Sequence, residues 1–170
     1  SKEYTMYYIN IQKDGVEETI KMLADTMQNP LFPEEEIDKE RKVVIEEIQR
    51  HFDSPTSVLY ETFFEDIFAR NALKNSIIGT ADVMANVSRD GIVKYYKTHY
   101  VPEKMVVVVA GKFDEEKVSK LIDETFGRFE KSSAPADPDL TTAIEEGKDA
   151  LKRGRVEVGY LVSGFVGPDI

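Results

Sequence analysis

The chain contains no cysteine, which removes disulfide frameworks, thiolate zinc sites, iron–sulfur clusters and cysteine nucleophiles together. Histidine is scarce, with two residues, and a catalytic zinc site needs three protein ligands, usually with imidazole among them. Long apolar runs are missing. The longest, residues 105–110 (MVVVVA), falls far below the roughly 20 residues that span a bilayer, and no charged-then-apolar signal segment opens the chain. A soluble protein without a membrane span is expected, its compartment left open between cytoplasm and, in a bacterium, periplasm. Basic charge is also in short supply: 32 acidic side chains face 22 basic ones, for a net charge of -10. With no basic block to offset this, a phosphate backbone is repelled and no nucleic-acid partner is expected.

What is present suits one folded domain. The 170 residues are 41% hydrophobic, 32% charged and 10% aromatic, a normal globular mix for a chain of this size. Residues 4–11 (YTMYYINI) are aromatic and β-branched and precede the turn signal Lys13-Asp14-Gly15, which predicts a strand. Apolar residues at three- and four-residue spacing predict a helix over 16–28, stopped by Asn29-Pro30. Pro33 then suits a first helical turn, with Glu34, Glu35 and Glu36 at the positive end of the dipole of a helix reaching about Phe52. Asp53-Ser54-Pro55 interrupts it, and 56–68 resumes helical spacing with Val58, Leu59, Phe63, Ile67 and Phe68 inward. Short helices follow over 81–86, capped by Gly79-Thr80, and over 89–99, capped by Ser88. Residues 105–110 read as a buried strand ending in Gly111, and Asp114 caps a last helix to about Phe126.

Residues 131–142 (KSSAPADPDLTT) are rich in Ser, Pro and Asp with almost no large apolar side chain, the composition of an extended linker. Residues 155–166 (RVEVGYLVSGFV) have strand composition again. The chain opens inside strand-like sequence and ends before this last strand gains neighbours, so a fragment of a longer protein is expected.

Chemistry concentrates on the second helix. At about 100° per residue, Ile37, Val44 and Ile48 fall within roughly 40° and define a buried stripe, with Asp38, Lys39, Lys42, Glu46 and Gln49 opposite. Glu40, Glu47 and His51 stack in one column at the rim of the stripe, the two carboxylates roughly 10 Å apart along the axis. They suit solvated or ion-paired rim carboxylates, and they suit metal ligands; spacing alone favours the first. His51, one turn after Glu47, has ligand geometry but equally suits a helix-end histidine meeting the dipole or solvent, and His99 reads as a helix C-terminal histidine. Residues 159–164 (GYLVSG) have phosphate-loop glycine spacing, yet Phe165 and Val166 stand where Lys and Ser/Thr are needed.

The blocks NPLFPEEEIDKERKVVIEEIQRHFDSP, IIGTADVM and YYKTHYVPEKMVVVVAGKFD, in this order and spacing, resemble the N-terminal half of pitrilysin/insulinase-family zinc metallopeptidases, the inverzincin group that includes processing peptidases. The resemblance covers residues 1–129. In that family an HxxEH helix supplies two zinc ligands and the water-activating glutamate, and a later ExxxxxxE supplies the third ligand. The stretch from Glu40 to Glu47 fits the later signature. The resemblance thus implies Glu47 as the third zinc ligand and Glu40 as a supporting carboxylate. No HxxEH occurs in these residues, so the fragment itself is expected to be inactive and to bind no zinc, catalysis belonging to the parent. Asn71-Ala72-Leu73 also departs from the His-Pro pair of many relatives.

The implied fold is α+β: two layers, a mainly antiparallel sheet with helices on one face, as a truncated metallopeptidase half-domain. Residues 1–130 would be the C-terminal part of the first half-domain, 131–154 a linker, and 155–170 the opening strand of a second half-domain. The implied parent is an endopeptidase acting on short or unfolded polypeptides, closed by its second half-domain. The alternative is a non-catalytic relative serving as a structural or substrate-holding subunit, as the core proteins of the respiratory cytochrome complex do. An uncovered sheet edge and helix stripe would also draw the fragment into a homo-oligomer or swapped dimer.

Overall fold

The computed structural model describes residues 1–68, 72–130, 134–136 and 157–164. The chain divides into two compact units, one from residues 1–4, 35–87 and 137–170, the other from 5–34 and 88–136. The linker expected over 131–154 lies outside the described residues except for 134–136, as do Asn71 and both ends of the strand expected over 155–166.

The helices fall where periodicity and caps put them. They are α1 (Val16–Gln28), α2 (Glu34–Asp53), α3 (Pro55–Ile67), α4 (Ala81–Asn86), α5 (Arg89–His99) and α6 (Glu115–Thr125). Three expected N-caps satisfy otherwise orphaned amides: Thr80 accepts from Val83 N, Ser88 from Gly91 N and Asp114 from Lys117 N. Ser54 adds a fourth by accepting from Ser57 N at 3.4 Å. With Pro55 at the first position of α3, it ends one helix and starts the next.

The expected mainly antiparallel sheet is absent: among the described residues no strand forms, and the regular structure is helical. The segments with strand composition fail for one physical reason. β-Branched and aromatic residues favour an extended backbone, but a strand exists only when its amides and carbonyls find a ladder partner. Residues 4–11 and 105–110 find none, and their side chains stand in solvent, with Tyr8 70%, Val106 87% and Val108 80% exposed. Residues 157–164 are likewise outside any strand.

In the second unit, α1 and α6 pack through Ile20, Ala24 and Val118, which with Val101 are buried. Gln28 Nε2 donates to Thr125 O at 3.1 Å, and the Tyr96 hydroxyl donates to Met27 O. Phe32 has φ 47, an uncommon conformation for a bulky residue. The Arg89 guanidinium holds the carbonyls of Phe32 and Leu31, and Tyr96 meets the Phe32 ring edge-on, contacts that offset the strain.

In the first unit α2 buries Ile48, which is 4% exposed, and half-buries Ile37 and Val44. The stripe expected to lie uncovered is therefore covered. The Lys2 ammonium donates to Leu73 O and Asn75 O, both at 2.7 Å, and sits 4.6 Å from the centre of the Phe64 ring. Gly164 lies so close to α3 that a Cβ there would stand 2.5 Å from Phe63 Cζ.

Candidate metal centre

Helix α2 owes its orientation to apolar and polar contacts together. Part of its charged outer face is self-paired: Lys39 Nζ meets Glu35 at 2.9 Å and Glu36 at 2.8 Å, and its hydrogen bonds to Glu36 and then Glu35 raise the Lys39 pKa. Arg41 turns inward. Its Nη1 donates to Met84 O and its Nη2 to Val87 O at 3.0 Å, satisfying carbonyls at the C-terminal end of α4. At the other end of α2, His51 Nε2 lies 3.0 Å from Glu61 Oε1 on α3, and the Ser76 hydroxyl donates to the same oxygen at 2.8 Å. One carboxylate oxygen thus joins three segments. The His51 ring also meets Phe52 edge-on.

Glu40 and Glu47 differ from these neighbours. Both are exposed, and among the described residues neither forms a hydrogen bond or ion pair. Val43 beside them is 53% exposed. The sequence column of Glu40, Glu47 and His51 thus splits, with two free carboxylates facing outward and the histidine engaged by Glu61. His99 packs on its own helix, its ring 4.2 Å from that of Tyr95. Among the described residues no group of three His, Cys, Asp or Glu side chains is arranged to hold a metal. The carboxylate of Glu47 has the donor chemistry for a hard or borderline cation.

Sequence reasoning passed over Arg41, Glu61 and Ser76. Arg41 carried a signal, since on the helical wheel it lies about 20° from Ile48, a charge at the edge of an apolar stripe. Glu61 and Ser76 carried none, because their meeting with His51 depends on how α3 and the following loop pack. Asp66 on α3 was also passed over; among the described residues its buried Oδ2 has no hydrogen-bond partner, a costly placement for a carboxylate oxygen.

Residues 1–81 match the family described as Insulinase (Peptidase family M16), and residues 86–170 match the Peptidase M16 inactive domain. The chain belongs to the M16 peptidase family. It is 34% identical to an uncharacterized zinc protease of Streptomyces coelicolor, over 93% of this chain and 34% of that protein. It is 28% identical to a protein of Arabidopsis thaliana named a probable mitochondrial-processing peptidase subunit beta, over 91% of this chain and 28% of that one. Among solved structures, a protease from Helicobacter pylori superposes with a TM-score of 0.67 at 27% identity, over 72% of this chain and 30% of that chain. The chain therefore spans about a third of the length of these M16 relatives. Among the described residues no helix is long and apolar enough to cross a membrane.

Proposed function

We propose that this chain is part of a zinc metalloendopeptidase that hydrolyses peptide bonds in short or unfolded polypeptides, with Glu47 as the third zinc ligand and Glu40 as its supporting carboxylate. What supports this reading is that Glu40 and Glu47, the two carboxylates at the ExxxxxxE positions, are exposed and, among the described residues, free of hydrogen bonds and ion pairs, while Arg41 and His51 on the same helix are engaged. An exposed carboxylate beside apolar Val43 keeps its lone pairs for an incoming ligand. Zinc, when bound, supplies Lewis acidity and lowers the pKa of bound water. Glu47 would contribute negative charge and one oxygen donor, and Glu40, two turns earlier, would add to the local negative field and orient neighbouring donors. The remaining ligands and the proton-accepting base belong to an HxxEH helix outside these residues. The 170 residues alone are accordingly inactive and hold no tightly bound zinc.

Within this reading residues 1–130 belong to the first half-domain, 131–154 link, and 155–170 begin the second half-domain that closes over the peptide. The compartment is cytoplasmic or periplasmic if the source is bacterial. A second reading, a non-catalytic structural subunit, draws support from the match of residues 86–170 to the family's inactive domain.

The two readings separate in one assay. The longer protein carrying this chain should cleave an unstructured fluorogenic peptide, lose activity to a chelator and regain it with zinc, and Glu47→Gln should lower the rate by about 100-fold or more. Absence of cleavage, or full activity in Glu47→Gln, would contradict the peptidase reading. The 170-residue chain should be inert in the same assay.

A further inference from the structure

We propose that Arg41 and His51 are positioning residues that fix the rotation of α2 and thereby aim the Glu40–Glu47 carboxylates. The proposal rests on the reading of Glu47 as a metal ligand. Its basis is that the two polar anchors of α2 bracket Glu47, one six residues before it and one four after. Arg41 grips the carbonyls of Met84 and Val87 with two nitrogens, and its side chain is 19% exposed. His51 grips Glu61, which Ser76 also holds, with side-chain exposures of 29% for His51 and 18% for Glu61. The anchors stand about 15 Å apart along the axis, so together they resist both rotation and tilt.

Apolar packing alone does not supply this. Ile48 is buried and Ile37 and Val44 half-buried, which fixes the face α2 turns inward, but apolar packing is non-directional and leaves a roll of some tens of degrees within that face less strictly defined than directional bonds do. A roll of about 20° would carry a carboxylate held roughly 5–6 Å from the axis through about 2 Å. That is several times the roughly 0.5 Å within which a metal or catalytic group must be held. Directional bonds on both sides of Glu47 remove the roll without using Glu47 itself. The same arrangement explains why these two polar side chains turn toward protein while Glu40 and Glu47 stay free.

The test uses the longer protein and reads zinc affinity by competition with a chromophoric chelator, beside the melting temperature of the metal-free form. Glu47→Gln sets the floor for loss of a ligand. Arg41→Met and His51→Phe should each weaken zinc binding by roughly 10- to 100-fold, the range for groups that orient a ligand, and the double variant should weaken it further. His51→Gln, whose amide can still donate to Glu61, should stay within about threefold of the parent. Should Arg41→Met fail to fold, Arg41→Lys makes the same comparison, since a single ammonium does not reproduce the planar fork. Lower melting temperatures with zinc affinity unchanged would overturn the proposal and leave the anchors merely stabilising. Retention of zinc by Glu47→Gln would instead overturn the underlying reading of Glu47.

Discussion

At the scale of single residues, the molecule separates side chains that bind its own backbone from side chains left for something else. Arg41, His51, Lys2 and Arg89 each spend their donors on named carbonyls or carboxylates, whereas Glu40 and Glu47 spend nothing. The tyrosines give a measurable case of the first kind. The hydroxyls of Tyr7 and Tyr100 lie 2.9 Å apart, and the Tyr100 pKa is pushed up to about 12, first by that hydrogen bond, then by burial and by the neighbouring phenolate charge. The folded state therefore keeps its proton where the unfolded chain, at an ordinary 10.0, has lost it. Stability should be intact below pH 10 and fall as pH rises from about 10 to about 12. Urea unfolding across that range should show the fall, and Tyr7→Phe should make it shallower. An identical slope in the variant would mean that the hydrogen bond does not set the shift.

At the scale of elements, the helices were legible, whereas the antiparallel sheet expected from composition does not form among the described residues. Helix boundaries depend on residues within one turn of them: Ser88 and Asp114 sit three residues before the amides they cap, at 3.1 Å in both cases. Ser88→Ala and Asp114→Ala should each cost roughly 0.5–2 kcal/mol, read as a lowered denaturant midpoint with an unchanged slope. No loss in either would show that the caps are decorative. Residues 105–110 were misread because composition reports a preference for extended backbone, while a strand also needs a partner whose position no local pattern encodes. The candidate site divides along the same line. Periodicity placed Glu40, Glu47 and His51 in one column, but that His51 would leave it for Glu61 and Ser76 depends on the packing of α3. The family resemblance, carried by the blocks around α2 and α5, reached beyond periodicity because it drew on the order of whole segments, and the M16 matches bear it out.

At the scale of the whole molecule, several large apolar side chains are left in solvent. Met6, Tyr8, Val106, Val108 and Leu161 all stand largely in solvent, and apolar surface of this kind promotes association. The 170-residue chain should form a dimer or larger assembly, read as a mass that rises with concentration in light scattering; a constant monomer mass up to high concentration would count against it. Glu47 is proposed to complete a zinc site whose other ligands lie outside these residues. The most direct measurement is zinc stoichiometry by mass spectrometry of dialysed protein, for the 170-residue chain, the longer protein, and its Glu47→Gln variant. About one zinc per molecule is expected only in the longer protein with Glu47 intact. One tightly held zinc in the short chain, or undiminished zinc in Glu47→Gln, would contradict it.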